Sequence, residues 1–282
     1  MNIPKILRKN LKKVSIYAIL LVLVVFAVAP YYYIFISSIK PKDEVLLIPP
    51  TVWTWKPTFE SYYSLFFETK KVPWFFESLV NTIILSTIST ALAIFLGLFS
   101  GYAFSRFNFR GKNFAFKIIL LRNLFPGVAF LVPYYIFLTY LRLINTYEGL
   151  IFTYLAFNLP LSIWLIRGFI DSVPEDYEEQ ALVDGCSRIG AVFKILFPII
   201  RPGIISVFMY CFSTSWIEYI LPLALWTTKK TLTVTLATLV MGEYLIDWRL
   251  LFSSTIIMTL PTIAIFYYLQ KYITHIVGGI KA

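Results

Sequence analysis

Charged residues are scarce in this sequence. They make up 14% of its 282 residues, against about 25% in a typical soluble domain. Hydrophobic residues reach 59%, and the mean hydropathy is +0.75. A water-soluble fold of this length has too few polar groups here to cover its surface. The composition therefore excludes an ordinary soluble domain and predicts an all-α protein that spans a lipid bilayer.

Cysteine and histidine are almost absent. Cys186 and Cys211 stand 25 residues apart, without a further cysteine or a histidine at metal-ligand spacing, and the single histidine is His275. Neither a disulfide framework nor a zinc site is predicted. Gly-x-Ser-x-Gly and His-Glu-x-x-His motifs are also missing, so the sequence does not support a membrane-bound hydrolase. We expect no metal or other cofactor on this chain, and no enzymatic activity of its own.

The net charge of +10 does not indicate a nucleic-acid partner. A nucleic-acid-binding protein gathers its basic residues on one soluble face, whereas here they are spread through the connections between apolar segments. Membrane topology explains this distribution better. We therefore expect lipid, and no nucleic acid, among the partners.

Six apolar segments are long enough to cross a bilayer, since a spanning helix needs about 20 mostly apolar residues. They predict a single transmembrane domain over residues 1–282, with an external segment at 38–77 and a polar loop at 171–203 between the fourth and fifth spans. The spans are expected at about residues 14–37, 79–104, 116–141, 149–170, 204–226 and 251–273.

The distribution of Lys and Arg predicts the orientation of these spans. The segments on the side of both termini hold 15 of the 25 basic residues, those on the opposite side hold nine, and Arg122 falls inside the third segment. Because cytoplasmic loops carry the excess of basic residues, both termini and the loop at 171–203 are expected in the cytoplasm. The chain is therefore predicted to be a multi-pass protein of the plasma membrane.

Small residues recur along the second apolar segment. Intervals of three or four residues place them on one face of a helix, and such faces let two membrane helices approach closely. We therefore predict a packing seam along this face. Its members are Ser86, Thr90, Ala93, Gly97 and Gly101.

The polar loop at 171–203 contains signals for two helices. Ser172 and Glu175 have the spacing of a capping box, which predicts a first helix, and Asp184-Gly185 predicts its end because glycine tolerates the left-handed conformation. Acidic residues in the first turn favour the same start. The loop is thus more than a simple connection.

A second helix is predicted to begin after Ser187, which can cap it. Pro198 and Pro202 are expected to end this helix before the fifth span. The product is a short helix, a turn and an amphipathic helix that lie across the membrane surface. The apolar face of the second helix is formed by residues at helical spacing, namely Ile189, Val192, Phe193 and Leu196.

The stretch Glu179-x-Ala181-x-x-Asp184-Gly185, with an apolar run into Pro198, resembles the EAA loop of ABC-importer membrane subunits. The resemblance implies that these four residues dock as a coupling helix into a nucleotide-binding subunit and receive the power stroke there. Gln180 departs from the pattern, because the family usually has alanine at this position.

The resemblance extends over nearly the whole chain. The number of spans, the length, the segment Ser215–Pro222 and the C-terminal sequence are similar to the smaller, MalG-like membrane subunit of maltose-type carbohydrate importers. Gly279 and Lys281 are then candidates for a contact made by the C-terminal tail. The implied function is ATP-driven import of a sugar or oligosaccharide, with this chain forming half of the translocation path.

Such an importer implies several partners. They are a second membrane subunit, two nucleotide-binding subunits and an external solute-binding protein. The phosphate-binding motif Gly-x-x-x-x-Gly-Lys is absent from this sequence, so Mg-ATP is expected on the nucleotide-binding subunits.

Arg122 and Glu218 are the charged residues that lie well inside apolar segments, more than four residues from either end. An arginine at the centre of a membrane helix costs about 2.5 to 3.5 kcal/mol on insertion scales, so Arg122 and Glu218 need partners or a cavity. With Trp216 they are candidates for the translocation path, where Glu218 would accept hydrogen bonds from sugar hydroxyls; internal pairing of Arg122 is the alternative. Pro126 and Pro160 predict local openings of the helices that contain them.

An ion-coupled secondary transporter is the alternative function. It would use intramembrane carboxylates and, usually, paired repeats of broken helices. The spans offer only Glu218 for this purpose, and no repeat is evident. Dependence of uptake on ATP or on an ion gradient distinguishes the two functions.

Overall fold

The computed structural model of the chain describes residues 5–68, 72, 74–241 and 247–278. The described residues contain no strand, so the prediction of an all-α protein is confirmed. The α-helices in chain order are α1 (Lys5–Ser38), α2 (Lys42–Val45), α3 (Glu60–Phe67), α4 (Phe75–Arg106), α5 (Lys112–Leu121), α6 (Leu131–Tyr140), α7 (Tyr147–Asp171), α8 (Asp176–Val183), α9 (Arg188–Ala191), α10 (Phe197–Trp216), α11 (Ile220–Leu225), α12 (Leu232–Met241) and α13 (Trp248–Gly278).

Five described helical segments are long and apolar enough to cross a membrane. A sixth crossing exists if the pair Lys112–Leu124 and Gly127–Tyr140 counts as one span, although its two halves are bent by 106°. The fold thus provides five or six crossings. The five unbroken segments are Lys13–Ser38, Phe75–Arg106, Tyr147–Asp171, Arg188–Trp216 and Trp248–Tyr272.

The bend in the third apolar segment lies at Pro126. A 3-10 turn at Arg122–Leu124 follows α5, Pro126 itself has extended backbone, and a second 3-10 turn at Gly127–Phe130 leads into α6. Proline lacks the N–H that a helix needs and disfavours a helical residue before it. The opening predicted at Pro126 is therefore present. The one predicted at Pro160 is wrong, because Pro160 is buried inside the unbroken α7, where neighbouring helices can compensate for the lost hydrogen bond.

The small-residue face of α4 forms a packing seam against α7, as predicted. All five of its members are buried. A Cβ atom at Gly97 would collide with the hydroxyl of Ser162 on α7, and one at Gly101 would lie 3.1 Å from the backbone nitrogen of Arg167. Ser162 Oγ donates a hydrogen bond to the carbonyl of Ala93 at 2.9 Å. The two backbones approach closely because this face carries no large side chains.

Helix α10 packs on the α4 and α7 pair. A Cβ at Gly203 would overlap the ring of Phe169, so only glycine lets α10 approach α7 at this level. The buried apolar side chains of the three helices form one hydrophobic core with those of the π turn Val192–Leu196, which precedes α10. It contains Leu98, Ile166, Ile170, Val173, Val192, Leu196, Ile200, Ile204, Val207 and Cys211.

The described residues of Met1–Pro73 and Thr238–Thr259 form a compact unit of their own. Arg249, which is mostly buried, donates to Glu60 of α3 at 3.1 Å and lies 3.5 Å from Asp247. The rings of Tyr33 on α1 and Phe252 on α13 meet edge to face. An ion-pair cluster and an aromatic contact therefore join the two stretches of this unit.

Candidate functional site

Helix α8 begins at Asp176, without the predicted capping box. Ser172 belongs to the end of α7, where its hydroxyl donates to the carbonyl of Phe169 at 2.6 Å, and Glu175 is the N-cap residue without a side-chain hydrogen bond. The capping-box prediction is therefore wrong, because the preceding helix satisfies the Ser172 hydroxyl first. Three acidic residues in the first turn favour the start of α8 through the helix dipole instead.

The end of α8 matches the prediction. Gly185 has a φ of +86°, in the left-handed region that favours glycine. Its N–H donates to the carbonyl of Leu182 at 3.1 Å, and the N–H of Cys186 donates to the carbonyl of Ala181 at 2.9 Å. These two bonds form a Schellman motif, which satisfies the last carbonyls of the helix and reverses the chain. The turn is thereby fixed by its own backbone.

Ser187 caps the next helix as predicted, since its hydroxyl accepts from the N–H of Gly190 at 3.1 Å. The predicted end of that helix is wrong. α9 continues through a π turn at Val192–Leu196 into α10, which runs through Pro198 and Pro202 to Trp216. Pro198 comes just after the π turn, where the regular hydrogen-bond pattern of the helix is already interrupted and a missing N–H is tolerated. The second part of the loop and the fifth membrane segment are therefore one continuous helical rod, from Arg188 to Trp216.

The predicted apolar face of this rod is divided. Val192 and Leu196 are buried in the core, whereas Ile189 and Phe193 are exposed. The π turn adds a residue to the helical repeat, so positions on the two sides of it no longer share one face. The part of the rod before the core therefore presents apolar side chains outward.

Arg106, the last residue of α4, fastens α8 to the helix bundle. Its Nε donates to Glu178 Oε1 at 2.8 Å, and its Nη2 donates to the carbonyls of Val173 at 2.8 Å and Ile170 at 3.2 Å. The side chains of Arg106 and Glu178 are only 9% and 7% exposed. This buried joint connects the ends of α4 and α7 with α8. A charge-assisted hydrogen bond of this kind is roughly twice as strong as one between neutral groups.

The joint gives α8 an inner and an outer face. Glu178 and Ala181 lie on the inner face and are buried within the chain, so the small side chain of Ala181 allows close packing inside this subunit. Glu179, Asp184 and Gly185 are exposed. Gln180, the departure from the EAA pattern, is exposed as well. A hollow on the outer face is lined by Asp176, Glu179, Gln180, Val183 and Asp184.

A cavity of about 140 Å³ lies beside the break in the third apolar segment. Arg122 Nε and Nη2 are buried there without a hydrogen-bond partner in the described structure, and Cζ lies 3.7 Å from the ring centroid of Phe157. The Tyr154 hydroxyl is likewise buried without a partner. The cavity therefore contains donors that the described part of the chain does not satisfy. Its lining consists of Arg122, Tyr154, Phe157, Asn158, Tyr210, Thr214, Ser215, Glu218 and Leu221.

Glu218 lines the same cavity. Its Oε1 accepts from the N–H groups of Ile220 at 3.0 Å and Leu221 at 3.1 Å, which are the first two residues of α11. Oε2 takes part in neither bond. The carboxylate thus caps α11 and explains why the apolar segment predicted for residues 204–226 is two helices rather than one.

Trp216 does not line the cavity. It is 1% exposed, and its ring stacks on Phe212 with centroids 5.4 Å apart. The structure therefore brings together two of the three residues proposed for the path. Gly279 and Lys281 lie outside the described residues.

Sequence reasoning missed the residues that hold both sites. Arg106 and Glu178 are 72 positions apart, and no spacing rule connects them. Asn158, which donates to Ser215 at 2.8 Å and accepts from Thr214 at 2.9 Å, was detectable as an amide inside an apolar segment. Such a residue needs partners within the bundle. Among the residues that the structure describes, no group of three or more His, Cys, Asp or Glu could hold a metal.

Comparison with known proteins gives consistent results. The family model for the "Binding-protein-dependent transport system inner membrane component" matches residues 93–278. The chain is similar to the inner membrane ABC transporter permease protein YcjP of Escherichia coli (strain K12), 26% identical over 97% of this chain and 98% of that protein. It is 32% identical to the trehalose transport system permease protein SugB of Mycobacterium tuberculosis (strain CDC 1551 / Oshkosh), over 80% and 81% of the two chains.

The fold is also similar to that of a solved membrane transporter. The match is a chain of a bacterial ABC transporter involved in the import of the acidic polysaccharide alginate, with a TM-score of 0.81 and 20% identity. It covers 94% of this chain and 97% of that chain.

Proposed function

The chain belongs to the family of binding-protein-dependent transport system inner membrane components, and on that basis we propose that it is the membrane-spanning subunit of an ATP-driven sugar or oligosaccharide importer. The relatives named for trehalose and for trehalose/maltose transport support the substrate class. A multi-pass protein of the inner membrane fits the five or six apolar crossings. The outer face of α8 supports the coupling to ATP most directly.

The outer face of α8 is the proposed contact with a nucleotide-binding subunit. Asp176, Glu179 and Asp184 present three carboxylates around one hollow, where they can accept hydrogen bonds from basic or backbone donors of a partner. Negative charge concentrated on a small surface also steers a partner of opposite charge. Mg-ATP would be bound and hydrolysed by that partner.

The joint at Arg106 carries motion from this contact into the membrane. A helix held only by a flexible connection would move without displacing the spans. Because Arg106 bonds α8 to the ends of α4 and α7, and the rod from Arg188 continues into α10, three membrane helices move with α8. Rigid elements of this kind transmit domain rotation.

Replacement of Gly185 by leucine tests the coupling. A side chain there opposes the left-handed backbone and enlarges the turn beside the proposed contact, so we expect transport-coupled ATP hydrolysis to be lost. Gly111 is a matched control, since it has the same φ of +86° and open space around it but lies at the start of α5. Wild-type coupling in Gly185→Leu, or equal losses in both variants, would refute the role of the turn.

The cavity at Arg122 and Glu218 is the proposed part of the translocation path. The unsatisfied donors on Arg122 and Tyr154 are buried, and a movement of these side chains into the cavity would let them bond to the hydroxyl oxygens of a sugar. Glu218 Oε2 can accept from a sugar hydroxyl. Trp216 supports the wall of the cavity by packing against its neighbours. The contacts with the sugar would be made by the residues that line the cavity. A second membrane subunit would provide the other half of the path.

Two substitutions of Glu218 separate sugar binding from capping. Glu218→Gln keeps a carbonyl oxygen that can cap α11, whereas Glu218→Ala removes the cap, which typically stabilises a helix by about 1 kcal/mol. We expect both variants to lower the rate of sugar uptake. Loss of uptake in the alanine variant alone would assign Glu218 to capping and remove it from the path.

The remaining partners follow from the same proposal. They are two nucleotide-binding subunits and an external solute-binding protein; a solved relative is in complex with an oligosaccharide-bound periplasmic protein. The base count supports cytoplasmic termini, which puts α8 on the side of ATP. Contacts of Gly279 and Lys281 in the tail remain predictions.

A further inference from the structure

The segment that follows α1, residues 39–58, has a polar interior built on Lys40 and Glu44, whereas Lys42, Asp43 and Lys56 are exposed. Lys40 is 1% exposed, and its ammonium donates to the carbonyl of Thr51. The carboxylate of Glu44 accepts from the hydroxyls of Thr51 at 3.1 Å and Thr54 at 2.7 Å. These contacts close the segment into an ordered loop around a polar centre.

Its outer surface is apolar. Ile48 is 95% exposed and Trp55 is 89% exposed. A loop that faces water buries most of its large apolar side chains, so the exposure of these two is unusual for such a loop. We call the exposed apolar residues the apolar tip, which consists of Leu46, Leu47, Ile48, Val52, Trp53 and Trp55.

A hydrogen bond fixes the depth of the apolar tip relative to α1. The hydroxyl of Tyr32 donates to the carbonyl of Val52 at 3.1 Å. Tyr32 lies six residues before Ser38, where the spanning segment ends, so its backbone is about 9 Å short of the helix end at 1.5 Å per residue. Val52 is therefore held against the last part of the span. Tyr31 and Phe35, in the same last part of α1, are exposed apolar residues as well. The apolar tip therefore continues the apolar surface of a spanning helix.

We propose that the apolar tip inserts into the membrane interface at the C-terminal end of α1. Trp53 and Trp55 would lie at the level of the headgroups, where tryptophan is enriched, and Ile48 would reach the acyl chains. Exposed Lys42 and Lys56 flank the tip and can reach lipid phosphates with their ammonium groups. The partner is thus the lipid surface. This inference does not depend on which solute the chain carries.

Spin labels report whether the apolar tip contacts lipid. Single cysteines replace Ile48 or Trp55 in the full chain, with Cys186→Ser and Cys211→Ala, and the chain is assembled with its partner subunits in lipid nanodiscs. Collision rates with molecular oxygen, which concentrates in lipid, and with a water-soluble nickel chelate are then measured. Exposed Asp43, on the polar α2 of the same segment, supplies the control position.

At positions 48 and 55 we expect oxygen accessibility to exceed nickel accessibility several-fold, with the reverse at position 43. Preferential access by nickel at 48 and 55 would show a surface in water and overturn the proposal. Labels that neither reagent reaches would show burial against protein, which would also overturn the proposal. The same holds if nickel reaches the labels until solute-binding protein is added and is excluded only then. Two label positions guard against one variant that fails to assemble.

Discussion

Two arginines near the ends of membrane helices have opposite environments. The guanidinium of Arg106 donates hydrogen bonds to the Glu178 carboxylate and to two backbone carbonyls, in a joint that is almost inaccessible to water. Arg122 lines a cavity, stacks on Phe157 and leaves Nε and Nη2 without partners in the described structure.

The difference separates a mechanical role from a binding role. A buried charge with all its bonds made fixes the relative positions of the elements it joins. A buried charge with donors left over is unfavourable until water or a ligand satisfies them. Arg106 therefore suits a joint that transmits motion, and Arg122 suits a surface that meets a passing solute.

Arg106→Met should have the largest effect. It leaves Glu178 buried without its cation, and breaking a buried pair costs about 3 to 5 kcal/mol. We expect the equilibrium between the closed and the broken joint to shift by about 100-fold, the factor that corresponds to about 3 kcal/mol. Sugar uptake by the assembled complex in vesicles should fall with it, while basal ATP hydrolysis persists.

The matched control is Arg110→Met, which removes an exposed arginine four residues later. It should transport like the wild type. Exchange of the charges in Arg106→Glu with Glu178→Arg should restore part of the lost uptake. Unchanged uptake in Arg106→Met would mean that the joint does not transmit motion.

Arg122→Met should have an intermediate effect and the opposite sign on stability. Removal of unsatisfied donors spares a penalty of about 1 to 3 kcal/mol, so the purified complex should melt at a higher temperature while uptake falls about tenfold. The corresponding change at Arg106 should lower both. A lower melting temperature for Arg122→Met would assign Arg122 to internal pairing instead.

Ser187→Ala should have the smallest effect. It removes the N-cap of α9, a loss of about 1 kcal/mol, but leaves the Schellman turn and the Arg106 joint intact. We expect a small decrease in melting temperature and uptake within about fivefold of the wild type, since 1 kcal/mol is a factor of about five. Damage as severe as that of Arg106→Met would show that the cap, and not the ion pair, holds α8.

Local signals predicted the parts of the fold that depend on neighbouring residues. Apolar length gave the helical membrane class, the left-handed Gly185 and the cap at Ser187 followed from turn and cap chemistry, and the small residues of α4 marked the seam. These features depend on a few adjacent positions. The sequence contains them directly.

Features that depend on which helices pack together, and on which partner a side chain then bonds to, were not predictable in this way. Ser172 has the spacing of a capping residue, but its hydroxyl bonds to the end of α7 instead. Pro198 does not end its helix, because a π turn comes directly before α10. The partners Arg106 and Glu178 are brought together only by the packing of α4 and α7. Arg122 and Glu218 line the same cavity in the proposed path. This arrangement depends on the break of the helix at Pro126, which the sequence pattern alone does not relate to Glu218.

The outer face of α8 is the proposed contact with a nucleotide-binding subunit. A photo-crosslinking amino acid at exposed Gln180, in the fully assembled complex, tests it most directly; exposed Asn108, between α4 and α5, is the control position. We predict an adduct between position 180 and the nucleotide-binding subunit whose yield changes between the ATP-bound and nucleotide-free states, with little adduct from position 108. An adduct from position 108 alone, or none from position 180 in any state, would contradict the account.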